Sequence, residues 1–148
     1  MNPFVNSMDS IGMRLRAARE RSGLSVDQAA AQMRMTPAAV SLMEMDDDEI
    51  GSYCTSGDIR RFAEVLRTTS RELFDIPSTV LPLSLTALEQ LVREHCRSRG
   101  ISVQQFEERI HWPAGTSLAD LPLVLIADVC RELSIDWRRV FASYDDAA

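Results

Sequence analysis

The chain has 148 residues, 45% of them hydrophobic, enough for one ordinary domain or two very small ones with a packed core. Its formal charge of -6 divides evenly, with 9 Arg against 12 acids in residues 1–77 and 7 against 10 in residues 78–148, which excludes a basic tail or arm. All 16 basic residues are Arg, the 3 cysteines lack any CxxC pairing, and no apolar run approaches the ~18 residues of a membrane span, so a reduced cytoplasmic protein with no membrane segment or secretory leader is expected.

Taken in chain order, Ile11, Leu15 and Ala18 recur at helical spacing, Ser10 stands where a cap belongs, and Gly23 can end the element. A first helix is expected over residues 11–22. Ser25 with Gln28 three positions later predicts a capping box and a second helix running to Met33. Thr36 as cap and Pro37 at the first helical position predict a third helix over 37–45. The segment DDDEIGSYCTSGD, with its Asp run, Gly and Ser, reads as a long turn, and Asp58 as the cap of the fourth helix. Ile59, Phe62, Ala63 and Leu66 make the apolar face of that helix, and Leu73 with Phe74 belong to a short fifth one.

Residues 75–84 carry two Pro and two Ser and read as a linker. Beyond them the pattern repeats in part. Gly23, Ser25 and Gln28 have counterparts 77 positions on in Gly100, Ser102 and Gln105, while Ile59, Leu66 and Phe74 fall 67 positions before Ile126, Leu133 and Phe141. The second copy is therefore 10 residues shorter between its second and fourth helices, the right size to have lost its third, and HWPAGTSLADLP stands in that place. Leu88, Leu91, Val92, Phe106, Ile110, Leu125, Ile126 and Val129 supply its apolar face. Two small bundles bury little surface alone, so each gains by packing on the other or on a second subunit.

The stretch IGMRLRAARERSGLSVDQAAAQMRMTPAAVSLMEM, with FAEVLRTTSRELF after it, resembles the Cro/repressor-type helix-turn-helix family of bacterial and phage regulators, also called the xenobiotic-response-element family. The resemblance covers roughly residues 11–74. It implies an all-α fold: a five-helix, lambda-repressor-like helix-turn-helix domain at 1–77, then at 78–148 a second, degenerate helical bundle of related design, expected to serve dimerisation or partner binding. In such a frame helices two and three cross steeply over Ala30, Val40 and Met43, and the outer side of helix three enters the major groove of double-stranded DNA. A homodimer would read two half-sites about one helical turn apart.

The implied DNA-contacting residues are Gln28, Arg34, Thr36, Pro37, Ala38, Ala39, Ser41 and Leu42, with Met45 on the same side. Helix three carries none of the Arg, Asn or Gln that usually read bases, so contact falls to thymine methyls, to hydroxyls on phosphate, and to the positive ends of helices two and three. Arg34 stands where the family often has Gly, and Arg14, Arg60 and Arg61 are further candidates for phosphate. The acids of EMDDDE oppose phosphate if they share that side, and acids at the negative end of a helix ask for an Arg partner.

A transcriptional regulator is the expected function. The alternative is a protein-interaction module that keeps the frame without binding DNA, since Ala38, Ala39, Leu42 and Met45 also suit a protein partner. No Ser-His-Asp or paired-carboxylate spacing suggests an enzyme, and neither a cofactor nor a metal is expected from His95, Cys96, His111 and Cys130. Cys96 and Cys130 read as core, and Trp112 and Trp137 as core or interface, Trp112 alternatively as a ligand-lining residue.

Overall fold

The computed structural model describes residues 11–146, and every regular element among them is helical. Ser10, expected to cap the first helix, lies outside the described residues. Helix α1 (Ile11–Arg21) buries Ile11, Gly12, Leu15 and Ala18. Ser25 and Gln28 close the expected capping box on α2 (Val26–Met33), and Thr36 caps α3 (Pro37–Met45), its hydroxyl accepting from the Ala39 N–H at 3.1 Å. Val40 and Met43 are the buried residues of α3.

The segment after α3 corrects the expected long turn. Asp46 caps a further helix, α4 (Asp47–Tyr53), and Asp47, Asp48 and Glu49 form its first turn. Acids that would be unfavourable at the end of α3 are favourable at the start of α4, where the free N–H groups and the positive end of the helix lie. Ile50 and Cys54 drop into the core. The next helix, α5 (Ser56–Val65), is capped by Thr55 and not by Asp58, which is the third residue of that capping box. With α6 (Ser70–Leu73), six helices precede residue 75 where five were expected.

The second half comprises α7 (Leu85–Arg99), α8 (Val103–Arg109), α9 (Leu123–Glu132) and α10 (Trp137–Ala142), with short 3-10 turns at Leu118–Asp120 and Ser143–Asp145. The sequence repeat extends to the backbone. Gly23 and Gly100 both take positive φ, Ser102 and Gln105 close a capping box matching that of Ser25 and Gln28, and Arg34 and His111, again 77 apart, both take left-handed conformations at φ 59° and 61°. Each closes a matching helix end: the Met35 N–H donates to Ala30 O, and the Trp112 N–H to Glu107 O. Arg67 and Ser134, 67 apart, repeat this at the ends of α5 and α9. Nothing equivalent to α3 follows α8; the loop there buries Leu118 and Leu121 instead.

The two halves share one continuous core. The Leu123 N–H donates to Cys54 O at 2.9 Å, the Ser56 hydroxyl to Ala119 O at 3.3 Å, and the Phe74 and Phe141 rings lie 4.9 Å apart. The Asp145 carboxylate accepts from the N–H groups of Ser70 and Arg71, so the second half caps a helix of the first. Cys96, Cys130 and Trp137 are core residues, and Trp112 is half-buried with its indole N–H donating to Thr116 O at 2.7 Å.

Candidate nucleic-acid interface

Two contacts set α3 against α1. Gly12 packs so closely that a Cβ there would stand 2.7 Å from both Met43 O and Glu44 O. Glu44 then reaches back to Arg19: the guanidinium donates to Glu44 Oε2 at 2.8 Å and Oε1 at 2.9 Å, and also to Leu24 O at 2.9 Å. Both side chains are largely buried, and hydrogen bonding to Glu44 raises the Arg19 pKa against the opposing effect of burial. The acid at the end of α3 thus has the Arg partner its position asks for.

Asp47 accepts from the Gly12 N–H at 2.8 Å, satisfying one of the free donors at the start of α1. Asp46 accepts from the Asp48 N–H at 3.0 Å. Glu44, Asp46 and Asp47 are therefore engaged with α1 and α4. Glu49 differs, lining a cleft of about 250 Å³ beside α3 together with Ala39, Leu42, Tyr53, Asp58, Arg34 and Arg61.

The outer side of α3 is open. Thr36, Pro37 and Ala38 are exposed, Ala39 and Ser41 half-buried, and Leu42 is 51% and Met45 85% exposed. Gln28 and Arg34 are exposed beside it. The Gln28 side-chain oxygen accepts from the Ser25 N–H at 2.9 Å, and its NH2 remains to donate to a ligand. The Thr36 hydroxyl accepts from Ala39 and keeps its proton to donate. Arg34 holds its backbone in the left-handed region at φ 59°, a strain a glycine would avoid, and its guanidinium forms no hydrogen bond or ion pair among the described residues.

This short turn between a capped α2 and a capped α3, with the outer side of α3 left free, decides the kind of domain. The arrangement of α2 and α3 is that of a helix-turn-helix unit. Residues 10–75 match the helix-turn-helix domain family. No curated protein and no solved structure matches the chain.

Around the helix-turn-helix unit the other phosphate candidates separate. Arg61 faces the cleft beside α3 but sits 3.4 Å from Asp58 Oδ1. Arg14 pairs with Asp75 at 3.3 Å and donates to Glu72 O, on the α6 side of α1. Arg60 lies close enough to Tyr144 of the second half to lower its pKa, although burial dominates and raises it. Tyr53, 74% exposed at the end of α4, was invisible to a reading that made its segment a turn; an Asp cap followed by three acids was the available signal. No described group of three His, Cys, Asp or Glu could hold a metal, and no described helix is long and apolar enough to cross a membrane.

Proposed function

We propose that the protein is a sequence-specific DNA-binding transcriptional regulator of the Cro/repressor type, acting as a homodimer that places α3 of each copy in the major groove. The observation that carries this reading is the open outer side of α3, bordered by Arg34, which has no partner among the described residues, while Glu44, Asp46 and Asp47 are engaged elsewhere. Arg34 and the Thr36 hydroxyl contact phosphate, the NH2 of Gln28 meets the groove edge, and Pro37, Ala38, Ala39, Ser41 and Leu42 present methyls and a hydroxyl to the bases. Specificity then rests on few direct contacts and on DNA shape. The second half serves as the dimerisation or partner-binding unit.

Selection from random duplexes at low salt tests this. An enriched sequence is expected, bound with an affinity that falls as salt rises; Arg34→Ala weakens all sequences alike and reduces the salt slope by about one. Absence of enrichment, or affinity indifferent to salt, refutes it.

A second reading is favoured by the cleft of Leu42, Ala39 and Tyr53, where Glu49 and Asp58 balance Arg34 and Arg61. In that reading the frame holds a protein partner by apolar contact. Leu42→Arg separates the two, since it adds a phosphate contact to the first interface and buries a charge in the second.

A further inference from the structure

A larger cleft, of about 810 Å³, opens between α1, α6 and the chain that leaves α6. Four arginines line it: Arg14 and Arg21 from α1, Arg67 from the turn after α5, and Arg71 from α6. A chain of net charge -6 thus gathers 4 of its 16 Arg around one concave surface, against only two carboxylates, Glu72 and Asp75.

The four are not equally engaged. Arg71 is a wall of the cleft, donating to Pro77 O and Val80 O at 2.8 Å each. Arg14 is shared between Glu72 O and Asp75, both at 3.3 Å. Arg21 comes no nearer than 3.9 Å to Glu72, and the Arg67 side chain forms no hydrogen bond or ion pair among the described residues. Arg67 also sits at φ 53°, a conformation unfavourable for Arg, in the turn that ends α5. The two carboxylate side chains are 63% and 75% exposed, and ion pairs so exposed contribute little. An incoming group with more charge and more acceptor oxygens competes with Asp75 for Arg14, because guanidinium binds phosphate through paired N–H donors, while Glu72 stays held by the Thr68 hydroxyl at 2.6 Å.

We propose that this cleft binds a small organic phosphate carrying a diphosphate group, held by Arg21 and Arg67 with Arg14 turning from Asp75 to join them. The volume lies within the range of small-molecule sites and exceeds what an inorganic anion fills. Ala17, exposed on α1, supplies apolar surface for the organic part. The site is independent of whether α3 reads DNA.

Calorimetric titration of the full chain with pyrophosphate, ADP, adenosine and citrate tests it. Pyrophosphate and ADP bind, ADP no more weakly, while adenosine does not. Arg21→Gln and Arg67→Asn, the latter suited to a left-handed turn, each weaken binding at least tenfold with unchanged helical circular dichroism. Arg97→Gln, exposed on α7 and outside the cleft, leaves it unchanged. Absence of binding at millimolar pyrophosphate, equal weakening by Arg97→Gln, or citrate binding as tightly as pyrophosphate overturns the proposal. So does a loss of duplex binding in the two cleft variants with pyrophosphate binding intact, which would make the cleft a nucleic-acid backbone contact.

Discussion

Replacing Glu44 with Ala leaves the Arg19 guanidinium facing a vacancy at the junction of α1 and α3. Arg19 and Glu44 side chains are only 12% and 7% exposed and make two hydrogen bonds, at 2.8 and 2.9 Å. Removing one member of a buried pair costs about 3–5 kcal/mol, and the residual exposure places this one near the low end, about 3 kcal/mol. At about 2–4 °C per kcal/mol for a chain of this size, Tm falls by about 6–12 °C. Arg19→Met is expected to cost at least as much, since it strands a carboxylate and also gives up the bond to Leu24 O. The double variant Arg19→Met with Glu44→Leu recovers most of the loss, because two apolar side chains strand no charge. Urea unfolding followed by far-ultraviolet circular dichroism measures all three. Single variants within about 1 kcal/mol of the parent would show the pair behaving as an exposed one. A double variant no better than the weaker single would show that the cost came from packing and not from charge.

Three further outcomes follow from the geometry. Gly12→Ala forces α1 and α3 apart, because the contacts at 2.7 Å are to backbone oxygens that cannot rotate away; a loss of about 1–3 kcal/mol in urea unfolding is expected. Burial, aided by nearby acids, pushes the Cys54 and Cys130 thiols up to about 12, and Cys96 is also raised, first by burial. A disulfide reagent at pH 8 is expected to label none of the three in the folded chain and all of them in urea; since the folded values are raised, their contribution to stability is complete below about pH 8.5 and is lost as pH rises towards 12. Hydrogen bonding from Arg138 holds Asp136 below the usual carboxylate range, so its contribution is present above about pH 4 and disappears as pH falls through the lower folded value; Asp136→Asn, which can still cap α10, should flatten that acid limb of a pH–stability curve.

The local signals in this chain are strong because they act within three or four residues. Ser25 with Gln28, Thr36 with Pro37, and Ser102 with Gln105 each satisfy free N–H groups by neighbours in sequence, so the helix starts and the 77-residue repeat were legible without a fold. Composition misled at DDDE, where turn-forming residues proved to be a cap and the first turn of α4. The same letters serve either role. Which one applies depends on Ile50 and Cys54 finding a core to enter, which is a tertiary fact.

The sequence by itself determined an all-helical chain, a helix-turn-helix frame, and a second helical region whose cap residues recur 77 positions on. Only the tertiary structure decided where the charges go. Glu44 is neutralised by Arg19 from 25 positions away, Asp47 serves Gly12 across 35, and Asp145 caps α6 from the far end of the chain. An acid's effect on a neighbouring surface is set by distance and burial, and neither is written in one dimension. For the same reason the gathering of Arg14, Arg21, Arg67 and Arg71 around one cleft could not be read from an Arg count: it exists only once α1 lies along α6.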